Sequence, residues 1–349
     1  MKTLLKNARE KKGLKTRELA HLLEIDQALV SKFESGTRKP TKEQILKLAN
    51  LLEIDYETLM VAWLKEKILY EIGDDNLALK ALKVAEDEIK LNKKSSGKLI
   101  SKTLQSVLDE INILKSKLDQ YRQYDSYRIS QALELEYTFE SNRIEGNTLT
   151  LRETDLVINE GLTISGKSMR EHLEAINHQE AIAYIKHLME KKTVINEREV
   201  LSIHNLILRG IHPEDAGRYR KVQVMIKGST YMPPQPYMVA KDMEDFFIWY
   251  ETHKNSLHPV VLAAEMHERL VTIHPFIDGN GRTSRLIMNL ILLQHGYVIA
   301  NIKGDYENRM QYYQSLETAQ VHSNKEDFLL FIAQIEKESL ERYITIIAP

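Results

Sequence analysis

Apolar and polar positions alternate in helical steps along almost the whole chain. From about residue 126 to about 347, apolar residues recur every three or four positions, which predicts helix nearly throughout. Residues 3–60 read as a series of short helices broken at Gly13, around Ile25 and Asp26, and from Gly36 through Pro40. Thr16, Asp26 and Thr41 stand where helix N-caps are wanted. A charged helical stretch follows over roughly 58–91, then a turn at Lys93, Lys94, Ser95, Ser96 and Gly97, then a longer helix over roughly 98–124. In that helix Ile100, Leu104, Val107, Ile111, Leu114, Leu118 and Tyr121 keep one seam apolar. Such a seam needs a cover, either a second copy in a coiled-coil dimer or the C-terminal domain. The departure from helix is 217–240. There Gly217, Gly228, Pro233, Pro234 and Pro236 frame Val222 to Ile226, a short β-hairpin candidate.

These patterns predict an all-α protein with one small hairpin, in three parts: 1–60, a helical linker over 61–125, and a large helical domain over 126–349. The chain of 349 residues is long enough for that division, and a hydrophobic fraction of 43% allows a buried core. A net charge of −2 is unremarkable, but residues 1–50 hold twelve Lys or Arg against six Asp or Glu, so that end can face a polyanion. Without cysteine, disulfides, thiolate catalysis and Cys-ligated zinc are excluded. The N-terminus lacks an uninterrupted apolar region and no apolar run reaches spanning length, so a cytoplasmic location without a membrane is expected.

Within the first 60 residues, Leu19, Ala20 and Leu23 share one helix face, and after a tight turn at 24–26 a second helix opens with Gln27. This is a helix-turn-helix layout. From Leu5 and Arg9 through Glu34, Gly36, Arg38 and Pro40 to Leu48 and Leu51, the pattern resembles the phage-repressor family of helix-turn-helix proteins. The resemblance implies that the second helix enters a major groove, with Gln27, Ala28, Ser31, Lys32 and Arg38 as the DNA-binding positions. Binding to a two-fold site would make a homodimer the expected form. The plainer reading is a small helical protein-interaction domain.

The run from His274 to Arg285, HPFIDGNGRTSR, carries the chemistry. A helix over about 257–273 must stop before Pro275, which holds His274 at a helix end. Gly279 and Gly281 let backbone N–H groups turn toward an anion, and a new apolar helix begins near Arg282. Asp278 offers a hard oxygen ligand, and Arg282 and Arg285, about one turn apart, can clamp phosphates. These are the parts of a phosphoryl-transfer site.

The run matches the Fic family's signature HxFx(D/E)GNGRxxR at every specified position, and the surrounding helical pattern resembles that family too. The resemblance implies a protein adenylyltransferase that moves AMP from ATP to a Ser, Thr or Tyr hydroxyl of a target protein. It implies His274 as general base, Asp278 as ligand to Mg²⁺, and Gly279, Asn280, Gly281, Arg282 and Arg285 as the groups that bind ATP's phosphates. Val224, Met225 and Ile226 resemble the family's flap, which docks a target segment by strand addition. Upstream, Ser141, Glu145, Gly146 and Asn147 resemble its inhibitory motif (S/T)xxxE(G/N), on an inhibitory helix near 127–147. Glu145 would then pair with Arg285 and keep ATP from a productive pose. Other readings are a transcriptional regulator whose Fic domain senses nucleotide, an enzyme moving another phosphate-linked group, and one removing AMP.

Two features point elsewhere. Gly161 to Ser168 has Walker A spacing, but Leu151 to Glu160 reads as helix where a phosphate loop needs a strand. His267 and His274 lie seven apart on one helix face, yet no HExxH accompanies them, and His267 reads as structural.

Overall fold

The computed structural model describes residues 1–73, 77–83, 86, 101–124 and 126–348. The turn expected at 93–97, part of the charged stretch before it, and Ile100 of the seam lie outside the described residues. The chain divides into two compact units, 1–99 and 100–349.

The first unit packs α1 (Lys2–Lys11), α2 (Thr16–Leu22), α3 (Gln27–Ser35), α4 (Lys42–Leu52) and α5 (Tyr56–Ile72) around Leu5, Leu19, Val30, Phe33, Ile45, Leu48 and Leu59. Asp26 caps α3 by accepting from the Ala28 N–H at 2.6 Å, and Thr41 forms a capping box with Gln44 on α4. Thr16 does not cap α2. It is that helix's first residue, while Glu18 reaches back to the Lys15 N–H at 2.7 Å, and the Thr16 hydroxyl accepts from Gln27 Nε2 at 3.2 Å. Arg9 forks onto Glu34 at 2.5 and 2.9 Å, fixing α1 against α3 through a largely buried bidentate pair.

The second unit contains α6 (Lys102–Tyr121), α7 (Tyr127–Ile144), α8 (Leu151–Asn159), α9 (Met169–Glu190), α10 (Glu197–Leu208), α11 (Pro236–His253), α12 (Pro259–Ile273), α13 (Asn280–Gln294), α14 (Tyr306–His322) and α15 (Glu326–Ile347). At its centre α12 and α13 pack together, burying Leu262, Ala263, Ala264, Met266, Leu286, Ile287 and Met288. Both helices are buried over most of their circumference, and α13 carries the polar Arg282, Thr283, Ser284, Arg285 and Asn289 into that interior.

Helix α6 lies in this unit's core. Leu104, Leu108, Ile111 and Leu118 are buried where it runs along α15, and Lys337 meets Glu110 at 2.5 Å. The apolar seam is therefore covered by the chain's own last helix rather than by a coiled-coil partner.

The expected β-hairpin does not form. No strand occurs among the described residues, and 221–235 runs as irregular backbone around a turn in which Ser229 N–H bonds Ile226 C=O at 3.2 Å. Pro233, Pro234 and Pro236 remove N–H donors from the returning arm. Side chains hold the two arms instead: Gln223 Nε2 donates to Pro233 C=O at 2.9 Å, and Glu317 accepts from Ser229 and Thr230. Among the described residues no helix is long and apolar enough to cross a membrane.

Candidate active site

His274 ends α12 in the left-handed conformation, φ 49° and ψ 58°. Pro275 forbids helical continuation, and a non-glycine residue in this region marks a constrained position. Its Nδ1 lies 3.2 Å from Val271 C=O, which can only accept, so Nδ1 carries the proton and Nε2 keeps its lone pair. Burial lowers the His274 pKa and the nearby Arg220 cation adds to that, while the Val271 contact, Glu145 and Asp278 oppose it. The imidazole is thus held neutral at pH 7.

The loop from His274 to Gly279 is fixed from beneath. Phe276 is fully buried and stacks on His204 with ring centroids 3.6 Å apart. Gly217 N–H donates to His204 Nδ1 at 2.9 Å, which leaves Nε2–H to donate to Asp278 C=O at 2.9 Å. Burial pushes His204 down to about 4, so this tautomer persists through neutral pH. At Gly279, φ is +79° and a Cβ would come within 3.3 Å of the His204 ring, so both conformation and space require glycine. Asn280 staples the loop to itself: Nδ2 donates to Phe276 C=O at 2.9 Å, and Oδ1 accepts Phe276 N–H at 3.0 Å. Its side-chain amide is therefore committed within the loop, and what it offers an anion is its backbone N–H.

With Gly279 as N-cap, the first N–H groups of α13, at Asn280, Gly281 and Arg282, have no intrahelical acceptor and make an anion site. Two buried arginines converge on it. Arg282 is 3.3 Å from Asp278 Oδ1 and 3.4 Å from Glu174 Oε1, and its Nε and Nη1 lack hydrogen-bond acceptors. Arg285 donates from Nε to Ser141 Oγ at 3.0 Å and from Nη2 to Ser141 C=O at 2.9 Å, leaving Nη1 without an acceptor. Buried guanidinium N–H groups left open are costly, and phosphate oxygens would satisfy them.

Arg285 Nη2 also donates to Glu145 Oε1 at 2.7 Å. Desolvation works against the Arg285 charge, but Glu145, Tyr312 and Tyr137 together outweigh it and the arginine's pKa rises. A Cβ on Gly281 would meet Glu145 Oε1 at 2.5 Å, so the carboxylate rests directly on the start of α13. Gly146, at φ +96°, follows the end of α7, and Asn147 Nδ2 donates to Glu171 C=O at 3.1 Å and Glu174 Oε2 at 3.0 Å.

Asp278 is a half-buried carboxylate. Burial raises its pKa, but Arg282, the Gly279 N–H and Arg170 together bring it below the ordinary value, so it is ionised. Arg170 Nη2 donates to its Oδ2 at 2.8 Å. Among the described residues no group of three or more His, Cys, Asp or Glu could hold a metal ion. One carboxylate beside an anion site nevertheless fits a magnesium ion that arrives with phosphates and draws its remaining ligands from them and from water.

The other sequence-derived positions lie apart from this centre. Val224 and Ile226 are half-buried on the outgoing flap arm and Met225 is exposed. Gln27, Ala28, Ser31, Lys32 and Arg38 are all exposed, on α3 opposite buried Val30 and Phe33 and on the loop after it. Gly161 to Ser168 joins α8 to α9 with no strand, and Ser168 caps α9. His267 is buried against the Tyr312 hydroxyl at 2.9 Å. Four residues of the site were not picked out by sequence: Arg170, Glu174, His204 and Arg220. A polar residue inside the apolar stripe Val200, Ile203, Ile207 was the available sign for His204, and i,i+4 opposite charges were the sign for Arg170 and Glu174.

The Fic/DOC family profile matches residues 194–292, and a helix-turn-helix profile matches residues 5–59. A protein adenylyltransferase Fic of Nematostella vectensis is 37% identical over 211 residues, covering 60% of this chain and 48% of that protein. Its namesake in Drosophila grimshawi is 38% identical over 210 residues, covering 60% of this chain and 42% of that one. The chain thus spans less than half the length of these relatives. Among solved structures, a Fic family protein from Desulfovibrio desulfuricans G20 superposes with a TM-score of 0.62 at 26% identity, over 71% of this chain and 76% of that one.

Proposed function

We propose, from the helix-turn-helix and Fic/DOC profile matches and the site geometry, that the chain is a Mg²⁺-dependent protein adenylyltransferase, restrained by Glu145, that also binds DNA. The observation that carries the reading is the convergence of His274, with Nε2 free, on a helix N-terminus flanked by two buried arginines, each with at least one N–H group that lacks a hydrogen-bond acceptor. The activity for which these relatives are named agrees with it.

In this reaction His274 Nε2 takes the proton of a Ser, Thr or Tyr hydroxyl on the target. The hydroxyl oxygen forms a bond to the α-phosphorus of ATP as the bond to the β-phosphate oxygen breaks, and pyrophosphate leaves. His274 then returns its proton to solvent. The N–H groups at Asn280, Gly281 and Arg282, with the Arg282 side chain, stabilise the added charge on the phosphates, and Arg285 would hold the far end of the triphosphate. Asp278 would hold Mg²⁺, which supplies charge neutralisation there. Glu145 occupies Arg285 and rests on Gly281, so the resting arrangement withholds one phosphate ligand. The flap's outgoing arm at Val224 to Ile226 has backbone groups unpaired by any strand, which suits docking of an extended target segment.

Parallel labelling with ATP carrying label in the α- or the γ-phosphate tests the chemistry. Protein-bound α-label without γ-label is expected, and the reverse would assign a kinase-type transfer.

The first domain, 1–60, is assigned to DNA, read by Gln27, Ala28 and Ser31, with Lys32 and Arg38 on phosphates. Lys32→Ala should weaken binding to all DNA sequences alike and reduce the slope of log K against log salt by about one, read by fluorescence anisotropy. An unchanged slope would remove Lys32 from the phosphate contacts. A dimer on a two-fold site and a cytoplasmic location complete the proposal.

A further inference from the structure

Arg220 is an arginine with almost no solvent exposure and, among the described residues, no carboxylate within ion-pairing distance. Buried charges are normally paired with an opposite charge, so this one must be held some other way. Its donors go to carbonyls of three separate segments. Nε donates to the carbonyl of His274 at 2.8 Å, Nη1 to that of Val222 at 3.0 Å on the outgoing flap arm, and Nη2 to that of Pro234 at 2.5 Å on the returning arm. Nη1 also reaches Gln223 Oε1 at 3.3 Å, and Arg220's own N–H donates to Pro275 C=O at 2.9 Å.

We propose that Arg220 is a positioning residue for the transfer reaction, welding the target-docking flap to the catalytic loop so that a docked hydroxyl and the His274 imidazole share one register. This role rests on the adenylyl-transfer reading and gives that reaction the part that sets the distance between docking and chemistry. The flap needs such a weld because it has no strand pairing of its own, and prolines have removed the N–H groups that a ladder would use. A guanidinium suits this role because its planar fork presents several fixed donors to diverging carbonyls, which an ammonium on a flexible stem cannot match. The same cation faces His274 together with Glu145 at the end of α7 and Asp278 from the loop. Of these three it is the one that favours the neutral imidazole.

Two substitutions separate geometry from charge, each measured in the full chain with and without Glu145→Gly. Arg220→Lys keeps the charge and loses the fork; Arg220→Gln loses both. Trypsin cleavage after the exposed flap residues Lys221 and Lys227 should quicken in both variants, and α-label transfer should fall roughly ten- to hundredfold relative to Glu145→Gly alone. The His274 imidazole, followed by NMR against pH, should titrate as in the parent for Arg220→Lys and at higher pH for Arg220→Gln. Cleavage and titration do not depend on AMP transfer, so they judge Arg220 even if the parent proves to have another activity. Unchanged flap cleavage in both variants, or an unmoved His274 titration in Arg220→Gln, would overturn the proposal. Global unfolding of both variants, seen as lost helical circular dichroism, would do so as well, by assigning Arg220 to stability alone.

Discussion

Glu145→Gly should raise the chain's labelling by α-labelled ATP by roughly 10- to 100-fold, the order by which misplacing the triphosphate relative to its attacker slows transfer. The contact it removes is the 2.7 Å pair between Glu145 Oε1 and Arg285 Nη2. Arg285 stays in place without it, because Ser141 holds Nε and Nη2 through a hydroxyl and a carbonyl on the same helix. The substitution therefore frees a donor that is already oriented. It also clears the space over Gly281, where the carboxylate would stand only 2.5 Å from a Cβ. Scintillation counting of the precipitated protein measures the gain. No gain, with His274→Ala giving the same background, would remove Glu145 as a brake.

His274→Ala in the Glu145→Gly background should lower α-label transfer by roughly 10² to 10⁴, the range for losing a positioned general base. Binding of ATP should change little, since His274 is not among the groups assigned to the phosphates. The parent's pH profile gives a second check. Burial holds the His274 pKa below the ordinary histidine value, so the neutral base persists as pH falls through that value, and transfer declines only at lower pH. An acidic limb at or above the ordinary histidine value would contradict the burial of His274 and the placing of Arg220 beside it.

Much of this site was legible because its chemistry is local in sequence. His274, Asp278, Gly279 and Arg282 fall within nine residues, and a helix stop followed by a helix start forces them together. Glu145 was legible only through resemblance, since no local rule brings a residue 140 positions away onto Arg285. His204 and Arg220 were missed for a related reason. Each works through backbone carbonyls, and a carbonyl leaves no mark on residue identity. The seam over 100–121 shows how far periodicity reaches: it demanded a cover but could not choose between α15 and a second chain, because both would present apolar residues. The flap shows periodicity misleading. Val222 to Ile226 has strand-forming residues, yet the prolines opposite deny it a partner. Asn280 reads as a phosphate ligand beside two glycines, but its amide closes the loop on itself.

Helix α7 is anchored without help from Glu145. Tyr313 donates to Ile144 C=O at 3.0 Å, the Gly304 N–H donates to Glu140 Oε2 at 2.7 Å, and Asn142 Nδ2 donates to Glu174 C=O at 3.2 Å. Glu145 itself is the residue just past the last turn, with about a third of its side chain open to solvent. Letting go of Arg285 therefore requires rotation about side-chain bonds and no melting of the helix. Rotamer exchange at an exposed position takes picoseconds to nanoseconds, whereas local unfolding takes microseconds or longer. If Glu145 acts as the proposed brake, its release is fast on the scale of enzyme turnover. On the proposed function, output would be set by the fraction of time the carboxylate spends away from the arginine, an equilibrium that a bound target could bias without waiting for the protein to rearrange.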